Sequence, residues 1–185
     1  MKEYIDNYFN DTKKIIDIID KNEIVNFTNI LQNLKGRLFV LGVGGSAANA
    51  SHAVNDFRKI CNIETYAVTD NVSELTARIN DDSWEDSYVE SLQVSKLNKN
   101  DCILIFSVGG GSDNTSKNLV KCMEYAHYLG TKIISVVSRD GGESKRLSDS
   151  CILIPVIEEK LITPHAEEWQ GIILHLVVNY LQNQS

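Results

Sequence analysis

The chain has 185 residues, enough for one domain with a substantial core. Its hydrophobic content of 43% and charged content of 23% are those of a globular protein, and a net charge of -7 argues against nucleic acid, which wants a basic face. The opening MKEYIDNYFNDTKK has no apolar leader and no run reaches about 18 apolar residues, so neither a signal peptide nor a membrane partner is expected.

In chain order, YIDNYFNDTKKIIDIID has helical apolar spacing, and residues 26–34 suggest a second helix. RLFVLGV (37–43) reads as a buried strand, followed by the turn GVGGS and a helix over about 46–60. ETYAVT (64–69) reads as strand, VSELTARIND and residues 84–97 as helices, and DCILIFSV (101–108) as strand. After GGGS comes a helix over 114–130 that Gly130 closes, then the strand 132–138, the turn SRDGGE and a short helix or loop. CILIPV (151–156) is the last strand, and residues 164–182 form the last helix, with Thr163 as N-cap and Pro164 at its first position.

Short strands apolar on both faces and alternating with helices call for a mostly parallel central sheet flanked by helices, a three-layer α/β sandwich. No linker or repeat interrupts it, so residues 1–185 read as a single domain. Cys61, Cys102, Cys122 and Cys151 are scattered, without a CxxC pair; they read as reduced thiols and predict a cytoplasmic protein.

Two strands end in glycine-rich loops that lead into helices: GVGGS (42–46) and SVGGGS (107–112). Free N–H groups at a helix start, glycines that admit an anion and serine hydroxyls make both loops phosphate cradles. Neither is a dinucleotide fingerprint or a Walker A loop, so no nucleotide cofactor is expected. His52 and Asp56, four apart, share a helix face, as do Glu167 and His175, eight apart, on the last helix. Two histidines and two carboxylates suit proton transfer next to a carbonyl, or a divalent metal. Packed histidines and surface carboxylates are the plainer alternative, and His165 reads as a solvated loop residue.

The first loop and helix, the SVGGGS loop, the VSRDGG turn and EEWQGIILHL together resemble the sugar isomerase (SIS) domain. Within it they look most like phosphoheptose isomerases, which convert sedoheptulose 7-phosphate to glycero-manno-heptose 7-phosphate. The resemblance implies an SIS-type core over 36–185, with helices in 1–35 serving assembly, and a homotetramer. It implies a cytoplasmic isomerase that supplies heptose for a surface polysaccharide, with Asp56 as base and His175 as acid. Some family members hold one zinc ion per site, and the matching positions are His52, Asp56, Glu167 and His175. Val43, Gly44, Gly45 and Ser46 would line the sugar, together with Glu167. Asn80 and Asp81 would touch its hydroxyls or phosphate, and Ser107, Val108, Gly109 and Ser112 would hold the phosphate.

The chain departs from the family pattern at four of these positions. Asp56 stands for glutamate, Glu167 for glutamine, Val43 for asparagine and Gly109 for serine. A cation for the phosphate would come from Arg58, Lys59 or a neighbouring subunit. Two other readings stay open: an isomerase of another sugar phosphate or heptose stereoisomer, and a non-catalytic SIS protein that binds the replication initiator.

Overall fold

A computed structural model describes residues 1–184. Two helices, α1 (Lys2–Ile18) and α2 (Lys21–Gln32), precede the sheet. Then follow β1 (Leu38–Leu41), α3 (Gly45–Lys59), β2 (Thr65–Ala67), α4 (Val72–Asp81) and α5 (Ser87–Val94). The second half runs β3 (Cys102–Phe106), α6 (Lys117–Leu129), β4 (Lys132–Val137), α7 (Gly142–Leu147), β5 (Ser150–Leu153) and α8 (Ile162–Gln182). All five strands are parallel, in the order β2-β1-β3-β4-β5.

Side chains alternate across a strand, so the continuous apolar runs feed two cores. Leu38 and Val40 of β1 and Cys102, Leu104 and Phe106 of β3 join one core with α3 and α8. Phe39 and Leu41, with Ile103 and Ile105, join the other with α5 and α6. Each fully buried Leu, Ile or Phe is worth about 1.5–3 kcal/mol, so β1 and β3, whose residues are all buried, anchor the sheet. Ile15 and Ile19, at the end of α1, and Phe27 and Leu31 of α2 belong to the first core, so the N-terminal helices are part of the fold.

The strand order reverses at β1: α3 leaves toward one face and α6 toward the other. In open parallel sheets such a switch point opens a crevice at the carboxyl ends of the strands. The two glycine-rich loops follow β1 and β3, the strands that flank it.

The last helix starts earlier than the sequence suggests. It continues a single 3-10 turn, Glu159–Leu161, and begins at Ile162, with no side-chain cap. Thr163 is therefore inside the helix, and Pro164 is its third residue. N–H groups of the first turn lack helical acceptors, so proline costs nothing there.

Candidate active site

A cleft of about 540 Å³ lies at the switch point. The first loop contributes Val43 and Ser46, and the second contributes Ser107, Val108, Gly109, Gly111 and Ser112. Thr115 and Ser116, before α6, and Thr163 of α8 complete that side, and Arg139 and Asp140 close the edge beyond β4. In the second loop, the Ser107 hydroxyl accepts the Gly110 N–H at 3.1 Å. The Ser112 hydroxyl accepts the N–H groups of Asn114 (3.3 Å) and Thr115 (3.1 Å). Both hydroxyl protons are thus left to donate to a ligand. Neither α3 nor α6 has a side-chain cap; the Glu167 carboxylate stands beside the first turn of α3, whereas α6 keeps N–H groups for an anion.

The second loop is held by backbone. Gly110 has φ +74°, and a Cβ there would overlap the Gly141 carbonyl. Ser144 fastens the approach, donating its N–H (2.9 Å) and its hydroxyl (2.8 Å) to the Gly110 carbonyl. The GGG and GG sequences are explained by this contact between two turns.

Seven and eleven residues past Gly45, His52 and Asp56 stand about 10 and 16 Å further along α3. Asp56 is 6% exposed. Its Oδ1 accepts Asn55 Nδ2 at 2.9 Å, while its Oδ2 lies 3.3 Å from His52 Nε2 and 3.6 Å from His175 Nε2. The two imidazoles meet edge to face, 5.1 Å between centroids. Among the described residues, His52, Asp56 and His175 are the one group of possible metal ligands, with donor atoms within 4.8 Å of one another.

Glu167 stands elsewhere. It is two turns, about 12 Å, up α8 from His175, and its carboxylate lies where a Cβ on Gly45 would go. Asn49 ties the same helices, donating to the Glu167 carbonyl (2.9 Å) and Gln170 Oε1 (3.0 Å). Gly44 is the N-cap of α3 and Gly45 its first residue. Asn80 and Asp81 end α4, exposed and bonded to each other at 2.7 Å, and do not line the cleft.

Two other expectations change. His165 is 3% exposed, not solvated: its Nδ1 lies 3.2 Å from Glu168 Oε2 and its ring 4.6 Å from that of Tyr8. Tyr8 also bonds Glu168, and burial together with that carboxylate pushes its hydroxyl up to about 12. His165 therefore helps dock α1 on α8. Arg58 and Lys59 lie at the far end of α3, about 20 Å from the loop. Arg58 donates to the Thr65 carbonyl at 3.1 Å and stacks on Tyr66 at 5.4 Å. A cation lining the cleft that sequence reasoning missed is Arg139, whose signal was its place in the turn after β4 of a parallel sheet.

Fold and cleft mark a sugar-phosphate class of α/β protein, and the family model of the SIS domain matches residues 8–138. The chain belongs to the SIS domain family. Within it, the chain belongs with the phosphoheptose isomerases. That of Nitratiruptor sp. is 32% identical over 156 residues, covering 82% of this chain and 78% of its own. That of Helicobacter pylori strain P12 is 30% identical over 154 residues, covering 80% and 75%. The solved phosphoheptose isomerase of Neisseria gonorrhoeae shares the fold, with a TM-score of 0.83 at 21% identity over 97% of this chain and 98% of that one. Among the described residues, no helix is long and apolar enough to cross a membrane.

Proposed function

We propose that this chain interconverts sedoheptulose 7-phosphate and glycero-manno-heptose 7-phosphate, supplying heptose for a surface polysaccharide. The observation that carries the reading is the convergence of Asp56, His52 and His175 at a helix's length from a serine- and glycine-rich cleft. Isomerisation here requires the phosphate at the cleft and the carbonyl end of the sugar at these groups. The ketose has its carbonyl at the second carbon. Asp56 accepts a proton from the first carbon while His175 donates one to the carbonyl oxygen, leaving an enediol. Return of the carbon proton to the second carbon, with loss of the proton on the first carbon's oxygen, gives the aldose.

The same side chains suit a second chemistry: two imidazoles and one carboxylate at this spacing fit zinc with a position left open, and His52, Asp56 and His175 would hold it in place of free acid–base roles for the ligated atoms. A bound ion would polarise the sugar oxygens. The finer assignments rest on the same reading. Asn80, Asp81 and Glu167 remain candidate sugar contacts. The enzyme works in the cytoplasm, where four unpaired cysteines are at home. It assembles as a homotetramer through apolar side chains left half-exposed on α8 (Ile172, Leu176, Tyr180) and α1 (Ile5, Phe9).

The deciding experiment is proton NMR of sedoheptulose 7-phosphate with the protein in heavy water. An aldose deuterated at its second carbon is expected, and its absence with and without zinc would refute the reading. Val43 makes part of the cleft wall apolar, so other ketose phosphates belong in the same series, and faster turnover of one of them would reassign the sugar. Light scattering tests the tetramer.

A further inference from the structure

A phosphate monoester carries close to two negative charges at neutral pH, and this chain is itself acidic at -7. Among the described residues lining the cleft, Arg139 is the only cation. Three basic groups nearby are engaged, and Lys145, which packs on Gly141, does not line the cleft. Lys117 pairs with Glu85 at 3.1 Å, Lys121 with Asp86 at 2.6 Å and Arg146 with Glu143 at 2.5 Å. Arg139 is exposed and, among the described residues, its side chain has no ion pair or hydrogen bond.

Its backbone is unusual as well. Arg139 has φ +57°, in the left-handed region that glycine and asparagine tolerate and arginine seldom adopts. Contacts on both sides hold it there: Ser138 N–H donates to the Val108 carbonyl at 2.9 Å, and Gly141 N–H to the Ser138 carbonyl at 3.0 Å. The side chain then passes Gly109, with its Cδ 3.8 Å from where a Cβ would sit. Strain and an unpaired guanidinium coincide beside Gly109, in a cleft lined by Ser107 and Ser112.

We propose that Arg139 is the phosphate-binding cation of this site and the residue that selects phosphorylated over unphosphorylated sugar. The inference rests on the sugar-phosphate reading. A guanidinium suits a phosphate because its N–H groups can engage two oxygens at once.

Arg139→Asn is the informative variant, because asparagine accepts the left-handed backbone and carries no charge. Its Tm should equal or exceed that of the unaltered protein. Its Kd for inorganic phosphate, measured by calorimetry, should rise about 10- to 100-fold. KM for sedoheptulose 7-phosphate should rise in step, with kcat changing by less than about threefold. Lys59→Gln should change none of these. An unchanged phosphate Kd and KM in Arg139→Asn, or a loss confined to Lys59→Gln, overturns the proposal. If the unaltered protein leaves sedoheptulose 7-phosphate unchanged, the isomerase reading fails separately, and the phosphate calorimetry still judges Arg139.

Discussion

The two glycine-rich loops use one local recipe, strand to glycines to helix, and are closed in different ways. At the first, the neighbour of Gly45 is the Glu167 carboxylate, the end of a flexible side chain. At the second, the neighbour of Gly110 is the Gly141 carbonyl, a fixed piece of backbone. A carboxylate beside the first turn of α3 sits at the positive end of that helix dipole, where an anion would otherwise go. On the proposed reading the phosphate is thereby left to the second loop, with its two hydroxyls and Arg139. The first loop instead launches the helix that carries His52 and Asp56. On that reading one region holds and the other reacts, although their sequences look alike.

Kinetics should separate the two regions most widely. Asp56→Asn or His175→Ala should lower kcat by about 10²–10⁴-fold with KM little altered. Ser112→Ala should mainly raise KM, by about tenfold. Equal kcat losses in all three would erase the division. Next in size is stability. Gly110→Ala meets both a positive φ and a backbone collision, costing about 2–4 kcal/mol. Gly45→Ala should cost under about 1 kcal/mol, because Glu167 can swing away. Equal shifts in Tm would mean that both loops are closed rigidly.

A smaller effect is expected from Glu167→Gln, which gives up a dipole interaction of about 0.3–1 kcal/mol. The removed charge should also lower KM for the sugar phosphate slightly. Smallest is a thiol readout on the reacting side. Burial and the Asp56 carboxylate both push the Cys61 thiol up. Asp56→Asn should therefore speed its reaction with an aromatic disulfide near pH 8. Cys102 and Cys122, buried and held well above the ordinary thiol range, should stay silent in the folded protein.

Much of this was legible in the sequence. Two-sided apolar runs gave the parallel sheet, and the i, i+4 spacing of His52 and Asp56 placed both side chains on one face. Glu167 shows where periodicity stops: it shares a face with His175, but a face says nothing of 12 Å along the axis or of what the neighbouring helix presents. His165 looked exposed because a proline precedes it, whereas the helix begins three residues before it and buries it against Tyr8. Arg139 went unread because its importance comes from its backbone angle and from the loop beside it, neither of which composition records.

The pairing of β1 with β3 aligns Leu38 with Cys102, 64 positions apart. At its foot Asp101 is clasped by Arg37, whose N–H donates to Oδ1 at 2.8 Å and whose guanidinium pairs with Oδ2 at 2.8 Å. Closing so long a loop is an unfavourable step that local helix formation does not assist. A refolding chain should therefore regain its helical signal before it regains a cleft, and phosphate binding would serve as a clock for the arrival of the native topology.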